Sequence, residues 1–114
     1  MIARCVLAAL ICVAGALPGS AGQKIYSGEE AAALRCANAL AFTAVALEST
    51  GRISQLEKDV MLDITARILV EHVSGNWQQK KAALRVVRDR RDGVQTLDDF
   101  RRFATQCLVQ FPTN

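Results

Sequence analysis

The sequence is poor in the residue types on which most active sites and nucleic-acid surfaces depend. Aromatic residues make up 5% of its 114 residues, and there is 1 histidine. Few aromatic rings argue against a surface that stacks nucleic-acid bases, and a lone histidine argues against a zinc site built from protein ligands. Two prolines and 7 glycines argue against a collagen-like or linker-like chain. We therefore predict no metal, no cofactor and no nucleic-acid partner.

The motifs of the common enzyme classes are also missing. The chain contains no nucleotide-binding loop, no nucleophile elbow and no haem-attachment CxxCH run. His72 has no partner of the right type at helical spacing, and Ser74 is expected on a different side of the helix, so no catalytic pair is indicated. The carboxylate pairs Glu29–Glu30 and Asp98–Asp99 fall in predicted first turns, where negative charge is favourable by ~0.3–1 kcal/mol. We predict no catalytic residues and a protein that is not an enzyme.

The chain opens with the pattern of an export signal. One positive side chain in Met1–Arg4 precedes the uncharged run CVLAALICVAGAL over residues 5–17, and small residues follow at 19–21. This three-part pattern is typical of a secretory signal, so we predict a signal peptide over 1–21 and a single helical domain over 22–114. An uncleaved membrane anchor is the alternative, although thirteen helical residues reach only about 20 Å against a hydrocarbon core of ~30 Å.

The cysteines fit an exported chain. Cleavage would remove Cys5 and Cys12 and leave Cys36 and Cys107, an even pair in an oxidising compartment. We predict that Cys36 and Cys107 form a disulfide; the alternative is two buried thiols that never meet. The richness in Ala and Arg favours a bacterial periplasm, with an extracellular location as the alternative.

Four helices are predicted after the signal, and no period-two run indicates a strand. In an up-down-up-down bundle the first and last helices are antiparallel neighbours, which brings Cys36 near the start of one to Cys107 near the end of the other. Capping-box spacings mark several starts: Ser27–Glu30, Ser54–Glu57 and Thr96–Asp99, with Asn76 as a further cap. The predicted spans are Gly28 to Ser49, Gln55 to Ser74, Trp77 to Arg91, and a helix capped by Thr96 and stopped by Pro112.

Apolar patterns assign the buried side of each helix. The first helix is apolar all round and rich in alanine, so we expect it at the centre of the bundle. The expected stripes of the others are Leu56, Val60, Ile64 and Ile68; then Trp77, Leu84 and Val87; then Leu97, Phe100, Ala104, Cys107, Leu108 and Phe111. Two polar residues interrupt the apolar middle of the first helix, residues 36–47. Thr43 is expected to bond the carbonyl four residues earlier, and Asn38 is predicted to be a buried polar residue that fixes the register or lines a pocket.

Positive charge is concentrated late in the chain. Residues 80–102 hold eight Lys or Arg against four Asp, whereas residues 24–79 hold five against seven acids. Some of this charge is expected to pair locally, as Arg85–Asp89 and Arg88–Asp92. One row of the third helix combines an aromatic ring with cations, and we predict that it binds a partner: Trp77, Lys81, Arg85 and Arg88. The alternative is that Trp77 turns into the bundle and the cations are merely solvated.

These patterns favour a small, exported, non-enzymatic binding or accessory protein that acts through protein–protein contact. The expected partner is an acidic protein or an anionic membrane surface. A stress-protective, chaperone-like protein and a signal-anchored subunit of a membrane complex are the alternatives.

Overall fold

A computed structural model describes residues 24–114, which form four α-helices and, within that range, no strand. In chain order they are α1 (Gly28–Ser49), α2 (Gln55–His72), α3 (Trp77–Arg90) and α4 (Gly93–Gln110). The predicted all-α class is confirmed. The predicted signal peptide and its two cysteines lie outside the described residues, and the location in the cell stays a prediction.

α1 is the central helix, and α2, α3 and α4 all pack against it. Ala33, Ala37 and Ala44 of α1 are fully buried, and such small side chains let neighbouring helices approach closely. Larger side chains complete the core around them, including Leu34, Leu40, Ile68, Leu69 and Phe111. The prediction that the first helix is the buried one is therefore confirmed.

α1 is also long and apolar enough to cross a membrane by length and composition alone, with a mean hydropathy of 1.3 over its best window. Half of that window is buried inside the fold. An apolar helix covered in this way is typical of the core of a small domain. Asn38 and Thr43, the polar residues in the middle of α1, lie in this covered part.

The predicted disulfide joins α1 to α4. The Cα atoms of Cys36 and Cys107 lie 5.7 Å apart, within the ~4.4–6.8 Å that disulfides span. Cys36 is near the start of α1 and Cys107 near the end of α4, so the two helices meet in the antiparallel sense that the bundle requires. Phe111, just after α4, is buried in the same apolar cluster. The rings of His72 and Phe111 form an edge-to-face pair, with their centroids 5.4 Å apart.

Two of the predicted helix starts are confirmed at atomic detail. The Ser54 side chain accepts the Glu57 amide, and the Glu57 carboxylate accepts the Ser54 amide in return. Asn76 and Gln79 make the same reciprocal pair at the start of α3. α2 ends at His72, two residues before the predicted Ser74, because the chain becomes extended at Val73, which turns into the core.

The predicted capping box at the start of α1 is wrong. Ser27 occupies the cap position, but its side chain makes no capping hydrogen bond. Glu30, the other half of the expected box, instead accepts hydrogen bonds from the amide and hydroxyl of Ser74. Gly28 has a φ of +59°, so the entry into this helix departs from ordinary capping geometry.

The predicted start of the last helix is also wrong, by one turn. Asp92 caps α4 and exchanges hydrogen bonds with Gln95, a pair with the same three-residue spacing as Thr96 and Asp99. Starting at Asp92 gives α4 an extra turn and places Thr96 inside it, buried, with its hydroxyl donating to the Asp92 carbonyl at 2.9 Å. Asp98 and Asp99 therefore lie beyond the first turn.

The expected apolar stripe of α2 is only half buried. Ile68 is fully buried, but Leu56 is 74% exposed and Val60 is 51% exposed. Four-residue steps advance about 40° beyond a full turn each, so Leu56 lies about 120° around the helix from Ile68. The stripe thus rotates out of the core towards the start of α2. In α4, Cys107 is buried, whereas Leu97 and Leu108 at the edges of the predicted face are 39% and 41% exposed.

Candidate functional site

The predicted partner face is exposed along one flank of α3. Trp77, Lys81, Arg85 and Arg88 follow one another at four- and three-residue steps, and all four side chains are exposed. The Trp77 side chain is 49% exposed, so about half of it remains open to solvent. Leu84 and Val87, the other two residues of the predicted stripe, pack against the core cluster, to which Trp77 does not belong. We call these four residues the basic face.

Most cations of the basic face are not neutralised by an ion pair within the described residues. Arg88 forms an ion pair with Asp89 at 3.2 Å, with both side chains more than half exposed, and such pairs contribute ~0–1 kcal/mol. The predicted pairs Arg85–Asp89 and Arg88–Asp92 are absent from the ion pairs of residues 24–114. Asp92 is occupied instead as the cap of α4. Within the described chain, Lys81 and Arg85 have no carboxylate partner.

The opposite flank of α3 borders a groove that sequence reasoning missed. This groove lies between α1 and α3 and encloses about 720 Å³. Its apolar walls are formed by Ala31 and Leu34 of α1 and by Ala82, Ala83, Val86 and Val87 of α3. Four cations line it: Lys24, Arg35, Arg90 and Arg91. Within the part of the chain that the structure describes, no carboxylate lines it. We call it the cationic groove.

A second groove of about 420 Å³ separates α1 from α4. Phe100 and Phe103 line it together with the disulfide, and Arg35 and Arg91 border both grooves. Asp99 holds Arg91 through an ion contact at 2.6 Å from Nε and a hydrogen bond that Nη2 donates at 2.9 Å. This ion pair fixes the turn that separates α3 from α4 and leaves Arg91 largely neutralised.

A polar cluster fastens the segment before α1 to the turn between α2 and α3. The Tyr26 hydroxyl donates to the Ser74 carbonyl at 2.7 Å, and the Lys24 ammonium donates to the Ser74 hydroxyl. The Ser74 hydroxyl in turn donates to the Glu30 carboxylate at about 3 Å. Because Lys24 and Tyr26 also line the cationic groove, this cluster positions one end of its wall.

The charges of the cluster are set by these contacts. Hydrogen bonds from Ser74, first the side chain and then the backbone, lower the pKa of Glu30, and the Lys24 and Lys80 charges add to the effect. Burial, and then the negative charge of Glu30, raise the pKa of Tyr26. Tyr26 therefore remains a hydrogen-bond donor and Glu30 an acceptor at neutral pH. Lys80, which the sequence marked as one cation among many, is only 8% exposed.

Asn38 and Thr43, the polar residues in the apolar middle of α1, are both buried. Asn38 is buried, as predicted, at 5% exposed, but it lines neither groove. The hydroxyl of Thr43 is buried and has no hydrogen-bond partner among residues 24–114, so the predicted bond to the carbonyl four residues earlier is wrong. Thr65 makes that bond instead, to Met61 at 2.9 Å.

His72 ties the end of the chain to α2. Its Nε2 atom contacts the Pro112 carbonyl at 2.8 Å, and Arg67 donates to the Asn114 carbonyl. These contacts agree with a structural role for the histidine. Across residues 24–114, no group of three or more His, Cys, Asp or Glu side chains is arranged to hold a metal ion.

Comparisons with protein-family models, with curated proteins and with solved structures find no match to this chain. On the surface of residues 24–114, the basic face and the cationic groove are the features whose residues suggest a ligand.

Proposed function

We propose that this chain is an exported, non-enzymatic binding protein that holds an acidic protein partner through the basic face. The observation on which this rests is a half-exposed tryptophan in one row with three exposed cations, two of which have no carboxylate partner in the described chain. Tryptophan and arginine are the residues most enriched among those that dominate binding energy at interfaces. The disulfide is compatible with export to an oxidising compartment such as the periplasm.

The geometry supports a protein partner because the face is rigid and amphipathic. α3 starts with a complete capping box and so presents Trp77 at a fixed end of the row. A partner helix or loop that covers Trp77 would bury apolar surface and meet the positive charge of Lys81 and Arg85 with its own carboxylates. An anionic membrane offers only about 1 kcal/mol for each Lys or Arg near its surface, so three cations alone would hold the protein weakly.

The test is affinity capture with the tagged full-length chain, followed by binding measurements on the partner it retains. Trp77→Ala is expected to weaken binding by about 30-fold, the effect of a residue worth ~2 kcal/mol. The triple change Lys81→Ser, Arg85→Ser and Arg88→Ser is expected to abolish capture and to flatten its salt dependence. The triple variant should lose little stability, because exposed charges contribute ~0–1 kcal/mol.

The matched control removes positive charge from the opposite flank of α3. Arg35→Ser with Arg90→Ser removes two cations from the cationic groove and should leave capture of the protein partner unchanged. A folded triple variant that still captures the partner would contradict the proposal. So would retention of many unrelated aggregating clients in place of one stoichiometric partner, which is the behaviour of the chaperone-like alternative.

A further inference from the structure

We infer that the cationic groove is a second binding site, and that its ligand is a single-chain amphiphile with an anionic head group, such as a long-chain carboxylate. The groove lies on the flank of α3 opposite the basic face, so the inference does not depend on the proposed function.

The size fits one extended chain. The groove runs along α3 from Gln78 to Arg90, which at 1.5 Å per residue is about 18 Å. Its volume of about 720 Å³ lies within the ~300–1,000 Å³ of small-molecule sites. The groove is therefore long enough for one extended alkyl chain.

The walls favour an alkyl chain over an extended peptide. Apart from the extended residues Lys24, Ile25 and Tyr26, they consist of helices, whose backbone N–H and C=O groups are bonded within each helix, so a peptide lying against α1 and α3 would find no backbone to pair with. The side chains that line the middle of the groove, Leu34, Ala82, Ala83 and Val86 among them, are apolar, and polar side chains line its rim. A hydrocarbon chain carries no polar group that must be satisfied and gains about 0.8 kcal/mol for each buried CH₂.

The cations place the head group at one end. Lys24 is held by Ser74 and Arg91 by Asp99, whereas neither Arg35 nor Arg90 makes an ion pair with any residue of 24–114. Arg90 is the last residue of α3, and Arg35 borders the same groove from α1. No carboxylate of residues 24–114 lines the groove, and a carboxylate head group there would supply the missing negative charge through charge-assisted hydrogen bonds.

The test is a calorimetric titration of the full-length chain, purified in the form that the cell exports, with dodecanoate below its micelle concentration. Dodecanol and dodecyltrimethylammonium are the matched probes, with the same chain and a neutral or positive head group. Saturable one-to-one binding of dodecanoate is expected, at least about tenfold tighter than either probe, as a charge-assisted hydrogen bond provides. Absence of binding, or equal binding of all three probes, overturns the inference.

Variants separate the groove from the rest of the surface. Arg35→Gln with Arg90→Gln should weaken dodecanoate binding by about tenfold or more, whereas Arg85→Gln, an exposed arginine on the opposite flank of the same helix, should change it less than twofold. Ala82→Trp fills the groove from an exposed position and should abolish binding while circular dichroism and the disulfide remain intact. Unchanged binding in both groove variants, or an equal loss in Arg85→Gln, would show that dodecanoate binds elsewhere.

Discussion

α3 and α4 both pack on α1, but they are attached to it in different ways. α4 is joined by the Cys36–Cys107 disulfide and by Phe111, which is only 5% exposed. α3 contributes one buried side chain, the stem of Lys80, and otherwise half-buried residues such as Leu84 and Val87. The helix with the weaker apolar contact is also the one that carries the basic face and borders the cationic groove.

The comparison shows that α3 is held mainly at its ends. The start of α3 is fixed by the Asn76 cap and by the polar cluster around Ser74, which we call the Ser74 cluster: Lys24, Tyr26, Glu30 and Ser74. The Arg91–Asp99 pair fixes the turn after α3. Between these ends the groove separates part of α3 from α1, so both flanks remain accessible. A helix positioned by polar contacts at its ends, with little buried in the middle, has surface left over for ligands.

The largest effect on the difference between α3 and α4 is expected when the disulfide that links α4 to α1 is removed. Cys36→Ala with Cys107→Ala opens a loop of 71 residues, and the chain-entropy account assigns such a link about 4 kcal/mol. At ~4–8 °C per kcal/mol for a domain of this size, the melting temperature should fall by well over ten degrees. Thermal denaturation followed by circular dichroism measures it, and the reduced wild-type chain is the matched control. A shift of only a few degrees would mean that packing alone holds α4.

The next largest effect is expected where α3 begins. Gly75 has a φ of +94°, and a Cβ there would lie 2.7 Å from the Gln79 Oε1 atom and 2.9 Å from the Tyr26 hydroxyl. Gly75→Ala therefore adds the ~1–2 kcal/mol cost of left-handed backbone to the disturbance of hydrogen bonds worth ~1 kcal/mol each. We expect a loss of about 2–3 kcal/mol in the free energy of unfolding, measured by urea denaturation.

Gly51 supplies the control for that prediction. It has a φ of +74°, but a Cβ there would meet nothing within 4 Å. Gly51→Ala should cost only the backbone contribution of ~1–2 kcal/mol. Equal losses in the two variants would show that the contacts of Gly75 with the Ser74 cluster do not help to hold α3.

Local rules account for what the sequence predicted correctly. The caps at Ser54 and Asn76 depend on residues three positions away, and the disulfide follows from an even cysteine pair and the topology of a bundle. The end of α1 at Ser49 follows from Gly51, which has the positive φ common after helices. Such features need no knowledge of which helix faces which.

What the sequence did not reveal depends on contacts between residues far apart in the chain. Glu30 had the spacing of a capping box but lies beside Ser74, 44 positions later, and binds it instead. Asp92–Gln95 and Thr96–Asp99 offer identical spacings, and the three-dimensional partner of Asp99, Arg91, decides between them. The sequence did not predict the cationic groove for the same reason, because its walls and its charges come from separate helices.

The turn after α3 offers the next test of its attachment. Asp99→Asn removes an ion pair with Arg91 that includes one hydrogen bond and whose side chains are 34% and 26% exposed, and we expect a loss of about 1–2 kcal/mol. Asp98→Asn is the control, because its pair with Arg102 is more exposed, at 44% and 67%, and should cost less than about 0.5 kcal/mol. Equal effects on urea denaturation would mean that the turn is not fixed by Arg91.

The smallest effect is expected at the start of α3, as a dependence on pH. Ser74 lowers the pKa of Glu30 in the folded protein, so the ionised carboxylate stabilises the fold above the pKa of the unfolded chain. That stabilisation is lost as the pH falls through the lowered pKa. Glu30→Gln should therefore reduce the melting temperature at neutral pH slightly and make it less sensitive to acid.

Glu29→Gln is the control for that change, since Glu29 is also in the first turn of α1 and no hydrogen bond to it is found within residues 24–114. It should retain the acid sensitivity of the wild type, with thermal melts recorded from neutral pH down to about pH 3. If Glu29→Gln and Glu30→Gln flattened the pH profile equally, the effect would come from the charge of the helix start. The link between Glu30 and Ser74 would then not be what holds the beginning of α3.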